Sequence, residues 1–157
     1  MTVYSSIMGE RGEGWVIAQG LVLGLFVLAP GASTPWPLGA LWTLLGGLLT
    51  ALGSLVLLLA VSGLGRNLSP FPRPVPDGQL VTSGLYALVR HPLYTGLMLV
   101  CLGVALWTNS PARLALSAVL LWLLDGKASR EEAWLQERFL EYENYRRRVG
   151  KFFPGVY

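Results

Sequence analysis

The sequence predicts an all-α integral membrane protein, with about four transmembrane helices followed by a cytoplasmic C-terminal amphipathic helix. Composition is the first observation behind this. Of 157 residues, 53% are hydrophobic and only 13% are charged, whereas soluble domains carry about 25% charged residues. The second observation is where the charges fall. Most lie from Lys127 onward, including Glu131, Glu132, Glu137, Glu141 and Glu143 and seven lysines and arginines. The third is four apolar runs separated by turn signals. The length suits a single domain over residues 1–157.

The elements follow in order. Residues 1–14 are polar and contain glycine, so they read as an interfacial or weakly ordered leader. No basic n-region or small-residue cleavage site marks them as a removable signal. The first span covers about 15–30, short for a bilayer that needs roughly 20 residues. Its Gly20 and Gly24 form a small-residue pair that lets helix backbones approach. A Pro-rich turn at 31–37 carries Trp36 at the expected interface. The second span, about 38–63, has no charge and gains a small face from Gly46, Gly47 and Gly53.

A long loop follows, with prolines at 70, 72, 74 and 76. Loops of this length in compact proteins are usually functional or disordered, and its end at 80–86 reads as folded. The third span begins at Pro92, which suits a first helical turn because it needs no N–H partner there. It runs to about 107. Asn109-Ser110-Pro111 then provides a turn and a cap for the fourth span, about 111–125. That span is expected to run straight into a polar helix over 127–148, where Leu135, Phe139 and Tyr142 recur on one face. Phe152-Phe153 should end the chain as an aromatic anchor. The sole cysteine, Cys101, lies in an apolar helix; a disulfide is excluded and a buried, inert thiol is expected.

Lysines and arginines in the connections set the orientation. The long loop carries Arg66, Arg73 and Arg90, the turn at 31–37 carries none, and the C-terminal arm is the most basic part. Loop and arm should therefore both face the cytoplasm. The net charge of +3 does not indicate nucleic acid, since bases and acids mix on one helix. Solubility and contact with anionic lipid explain them.

Function concentrates where the loop meets the third span, at Arg90-His91-Pro92-Leu93-Tyr94-Thr95-Gly96, which holds the only histidine. Polar groups at a membrane helix end are costly unless paired or used. A helix N-terminus with Arg90 and His91 beside it favours an anionic group. The carboxylates Glu131 and Glu132 favour a cationic one. A ligand bearing both charges, such as an amino-acid moiety, suits the pair. Each signal has a plainer reading: His91 as a helix cap, the glutamates as a solvated face, and Tyr86 and Tyr94 as interfacial belt residues. Their joint occurrence carries the argument. The charge pattern leaves metal ligation without a candidate set.

The ordered combination of Leu80-Val81-Thr82-Ser83-Gly84 with Tyr86, Arg90-His-Pro-x-Tyr-x-Gly96, and Glu131-Glu132 with Leu135, Phe139, Tyr142 and Tyr145 resembles the isoprenylcysteine carboxyl methyltransferase family. That family is similar to the phospholipid N-methyltransferases. The resemblance covers roughly 60–155. It departs at Leu85 and Ala87, at Leu140 and at Gly150, where the family often has other residues.

The resemblance implies an S-adenosylmethionine site facing the cytoplasm, formed by about 78–96 and 127–148, and a lipophilic small-molecule or lipid acceptor reaching it from the bilayer. It implies that His91, Tyr94 and Gly96 line the cofactor site. Leu80, Val81, Gly84 and Tyr86 should meet the adenosine part, with Glu131 or Glu132 near the methionine amino group and Glu132 slightly preferred. Arg90 would bind a carboxylate or hold the loop. Arg90, His91 and Glu132 are thus the catalytic candidates. The acceptor class (carboxylate, thiol or amine) and the oligomeric state stay open. The alternatives are an NADPH-dependent membrane reductase of the sterol type, since part of the motif also occurs there, and a non-enzymatic membrane scaffold. The final Gly155-Val156-Tyr157 is not a prenylation signal.

Overall fold

A computed structural model of the chain describes residues 9–32 and 36–155. Most of the expected polar leader and the centre of the 31–37 turn lie outside the described residues. Among the described residues five α-helices follow one another: α1 (Glu13–Leu28), α2 (Gly39–Leu64), α3 (Pro92–Trp107), α4 (Pro111–Arg138) and α5 (Tyr142–Arg148). Short 3-10 turns cover Gly65–Asn67 and Gly84–Ala87. The ends of α1, α2 and α3 fall within two residues of those expected.

The closest helix pair is α2 with α3, and α4 packs against both α3 and α1. Glycine makes the first contact possible. Gly46 and Gly53 on α2 meet Gly103 and Gly96 on α3. A Cβ placed on Gly53 would lie 2.7 Å from Val100 N and 2.8 Å from Gly96 O; one on Gly103 would lie 2.6 Å from Thr50 N. Such backbone approach is the usual way helices associate when apolar surroundings remove the hydrophobic drive. Gly47 faces open space, and so do Gly20 and Gly24. The small-residue pair of α1 therefore packs on no other helix among the described residues, contrary to the sequence expectation.

Between α1, α3 and α4 lies a core of Phe26, Cys101, Leu120, Leu123 and Leu124. The start of α4 is capped as expected. Ser110 Oγ accepts from Arg113 N at 3.2 Å and donates to Pro30 O at 2.6 Å, with Pro111 in the first turn. The outer faces remain apolar: Leu28, Leu58 and Trp122 are 82%, 69% and 76% exposed. The segment Gly39–Asn67 is long and apolar enough to cross a membrane. At 16 residues, α1 and α3 reach about 24 Å, short of a hydrocarbon core of about 30 Å.

Two features differ from the sequence reading. The helix from Pro111 does continue past 125, but it stops at Arg138, and Phe139 turns extended. The expected single helix over 127–148 is thus two helices joined at a corner. The corner brings α5 back over the loop, so that Tyr145 Oη donates to Tyr86 O at 2.6 Å; a straight helix would carry Tyr145 away from Tyr86. The second difference is the tail. Val89 and Gly150 form a parallel bridge, Arg90 N donates to Gly150 O at 2.9 Å, and His91 N donates to Lys151 O at 3.1 Å. Thr95 Oγ1 donates to Phe152 O at 2.9 Å. Phe152 is buried, 6.0 Å from the His91 ring, while Phe153 is half exposed. The aromatic anchor therefore grips the site-bearing turn.

Candidate functional site

His91 occupies the N-cap of α3, yet its side chain caps nothing. The imidazole instead crosses to α4. There His91 Nε2 lies 2.9 Å from Glu132 Oε1. Arg90 Nε donates to the same oxygen at 2.9 Å, and Arg146 Nε lies 3.5 Å from Oε2. Arg90 Nη1 also donates to the carbonyls of Arg146 and Val149. One buried carboxylate thus ties α3, α4, α5 and the tail together.

Burial opposes charge on Glu132, but the hydrogen bonds from His91 and Arg90 outweigh it and lower the carboxyl to about 2. Glu132 is therefore ionised at neutral pH and can only accept. The His91 proton shared with it must sit on Nε2. Nδ1 is left facing Glu131 Oε2 at 3.9 Å, beyond hydrogen-bond range.

Glu131 and Glu132 consequently do different work. Successive helix positions are about 100° apart, so one carboxylate turns inward to the arginines and the other lines a cavity of about 300 Å³. That volume is at the lower end for small-molecule sites. Glu131 Oε2 accepts from Tyr94 Oη at 2.8 Å, and the Tyr94 ring stacks on His91 with centroids 5.3 Å apart. The sequence leaned toward Glu132 as the cavity-facing acid; the structure puts Glu131 on the wall and Glu132 behind it.

Other expected residues divide similarly. Arg90, His91, Tyr94, Leu80, Val81 and Tyr86 all line the cavity. Gly96 does not: it lies on the α2 contact, where a Cβ would stand 2.8 Å from Leu57 Cγ. Gly84 is also absent from the wall. Its φ of +61° lets the 3-10 turn form, and this places Tyr86 with its hydroxyl toward Ala60 O at 3.4 Å.

The roof is the proline-rich loop. Arg138, at the end of α4, donates to the carbonyls of Val75, Pro76 and Gly78. Asn67 Oδ1 accepts from Gln79 N at 3.0 Å. Leu57, Leu64, Leu93 and Leu97 make one side of the cavity apolar.

Sequence reasoning gave no separate role to Lys127 or Gln19. Lys127 is 4% exposed, and its Nζ donates to Gln19 Oε1 at 2.7 Å and Pro70 O at 3.0 Å. Burial lowers its pKa, with Glu131 pulling the other way. Two signals were readable: Gln19 is the one polar side chain in an otherwise apolar run, and Lys127 lies one helical turn before Glu131.

Tyr142 also lines the cavity and is 1% exposed. Among the described residues its hydroxyl is the buried side-chain atom left without a hydrogen-bond partner. Burial pushes this hydroxyl far above its usual titration range, and nearby Glu132 adds to the effect. Buried polar atoms are rarely left so, and an orphan on a cavity wall fits a site that receives a polar ligand. Among the described residues no group of histidine, cysteine and acidic side chains could hold a metal ion.

Comparison with known proteins places the chain in a family. The family model described as phospholipid methyltransferase matches residues 41–141. The cobalt-zinc-cadmium resistance protein CzcN of Cupriavidus metallidurans is 36% identical over 114 residues, covering 72% of this chain and 48% of its own length. Protein-S-isoprenylcysteine O-methyltransferase of Saccharomyces cerevisiae is 33% identical over 120 residues, 74% of this chain and 50% of its own. The chain spans about half the length of these relatives. A solved structure of the eukaryotic intramembrane Ras methyltransferase, an isoprenylcysteine carboxyl methyltransferase, superposes with a TM-score of 0.68. It is 22% identical and covers 94% of this chain and 55% of its own, a likeness of fold. The chain belongs to the phospholipid methyltransferase family and is related to the isoprenylcysteine carboxyl methyltransferases, as the Arg90-His91-Pro92 and Glu131-Glu132 motifs suggested.

Proposed function

We propose that the protein is an integral membrane enzyme that uses S-adenosylmethionine to methylate a lipophilic acceptor. The observation that carries this reading is a single cavity that joins Glu131, Tyr94, His91, Lys127 and the orphan Tyr142 hydroxyl to an apolar side. In this reading α1, α2, α3 and the first half of α4 are four spans. The loop, the cavity and the tail face the cytoplasm, supported by the basic residues gathered there.

The side chains fit such a ligand. Glu131 offers a carboxylate to an ammonium group, while Leu80, Val81 and the loop give an apolar seat for a nucleoside. When bound, S-adenosylmethionine supplies an electrophilic methyl group on a sulfonium. The chain's part is orientation and exclusion of water. The loop pinned by Arg138 covers the cavity. Glu132 accepts the His91 Nε2 proton, which leaves Nδ1 as the ring nitrogen that an acceptor's proton could reach. A thiol or amine acceptor would lose its proton there, whereas a carboxylate acceptor needs none. The relatives described above are methyltransferases and metal-resistance proteins, and nothing in them supports the NADPH reductase alternative.

Calorimetric titration of the detergent-purified protein with S-adenosylmethionine and its demethylated product tests the reading. Micromolar binding that is lost in a folded His91→Ala variant supports it. No binding by the folded wild type would overturn it, and binding of NADPH instead would favour the reductase.

A further inference from the structure

Lys127 is a buried ammonium whose two hydrogen-bond acceptors, the Gln19 amide oxygen and the Pro70 carbonyl, are both neutral. Its remaining face looks over the Tyr94 ring, with Nζ 5.4 Å from the centroid. Among the described residues no carboxylate oxygen comes within 4.0 Å of it, although Asp125 does so for Lys151 and Glu132 for Arg90. A buried cation without an anion is costly, and the cost falls when an anion arrives.

One turn along α4, Glu131 is the mirror case. It accepts from a neutral phenol, Tyr94 Oη, and its nearest cationic candidate, His91 Nδ1, is 3.9 Å away. Lys127 and Glu131 therefore line the same cavity from the same helix face. They carry opposite charges and are bridged by one tyrosine, without forming an ion pair with each other. Arg90 also lines the cavity, but it is already charge-paired: its Nε donates to Glu132 and its Nη1 to two main-chain carbonyls.

We infer that Lys127 and Glu131 form a two-point clamp for the amino-acid end of the methyl donor, Lys127 taking its carboxylate and Glu131 its ammonium. The inference rests on the methyl-donor reading above and assigns Lys127 a ligand-binding role. It also gives the lysine's other bonds a purpose. Through Pro70 and Gln19 the same ammonium holds the loop and α1 against the site, so the clamp and the roof share one anchor.

The test compares S-adenosylmethionine with decarboxylated S-adenosylmethionine, by calorimetry on the full chain in detergent. Wild type should bind the decarboxylated ligand about tenfold or more weakly, the loss expected of a charge-assisted contact. Lys127→Gln keeps hydrogen-bond donors for Gln19 and Pro70 but removes the charge. It should weaken S-adenosylmethionine to the level of the decarboxylated ligand and leave the latter within about twofold of wild type. Lys127→Arg should restore part of the discrimination. Equal weakening of both ligands by Lys127→Gln would reduce the lysine to a structural tie and overturn the clamp. Equal binding of both ligands by wild type overturns it without any variant. Failure of wild type to bind either ligand overturns the methyl-donor reading, and the clamp with it.

Discussion

His91 Nε2 and Glu132 Oε1 lie 2.9 Å apart across the α3–α4 contact, and that contact fixes which imidazole nitrogen can act in the cavity. It also ties the protein's stability to acid. The folded pKa of Glu132 is about 2 against an ordinary 4.5. A group with a depressed folded pKa contributes its full stabilisation above the unfolded value and loses it as pH falls through the folded one. Stability should therefore fall between about pH 4.5 and 2, and a Glu132→Gln variant should lack this part of the slope. At neutral pH the variant leaves Arg90 without its buried partner. It should lose roughly 3–5 kcal/mol, read as a lower unfolding temperature in detergent.

Gly53 meets the backbone of α3 at Gly96 and Val100. Gly53→Val should push the helices apart and cost about 1–3 kcal/mol. Gly47→Ala and Gly24→Ala, both facing open space, should leave the unfolding temperature unchanged. Thermal melts of the three variants check this, and an equal loss in all three would mean that glycine acts through something other than the α2–α3 contact.

Tyr142→Phe removes a buried hydroxyl that has no partner among the described residues. The unliganded protein should be as stable as wild type or more so, since an unsatisfied buried group costs about 1–3 kcal/mol. Affinity for S-adenosylmethionine should instead fall by about fivefold, the value of one ordinary hydrogen bond. A destabilised variant with unchanged affinity would show the hydroxyl to be structural.

Arg138 pins the loop through three carbonyls. Arg138→Ala should raise amide hydrogen exchange across 69–79 by about tenfold while α2 and α3 keep their protection. Because the loop roofs the cavity, ligand affinity should fall alongside by about three- to tenfold. Exchange measured by mass spectrometry in detergent decides the matter; an unchanged loop would mean that other contacts hold it.

The parts legible in the sequence are those set by local signals. Pro92, Ser110-Pro111 and the uninterrupted apolar runs mark helix ends because capping and burial act within a few residues. The corner at 139–141 was not legible, since Leu135, Phe139 and Tyr142 keep helical spacing straight through it. The contact that goes with the corner is a distant one, from Tyr145 Oη to Tyr86 O. The choice between Glu131 and Glu132 depended on the rotational phase of α4. The buried stripe Leu120, Leu124, Ala128 continues at Glu132, so the phase was present in the sequence but had to be counted from the apolar end. Gly96 sits in a functional-looking motif, yet its neighbours come from α2, about forty residues upstream. The pairing of the tail with 89–91 left no local trace at all.

That pairing bears on how the protein is made. Thr95 and Phe152, which share a hydrogen bond, are separated by 57 positions, so the ribosome delivers the Arg90-His91 turn long before its backbone acceptors exist. Until Gly150, Lys151 and Phe152 emerge, the amides of Arg90 and His91 lack their acceptors and Arg90 lacks the Val149 carbonyl. A nascent chain stopped after Arg148 would carry α1 to α5 and still leave Arg90, His91 and Thr95 without these acceptors. Synthesis must therefore pass Phe152 before the Arg90-His91 turn and Thr95 have all of these acceptors.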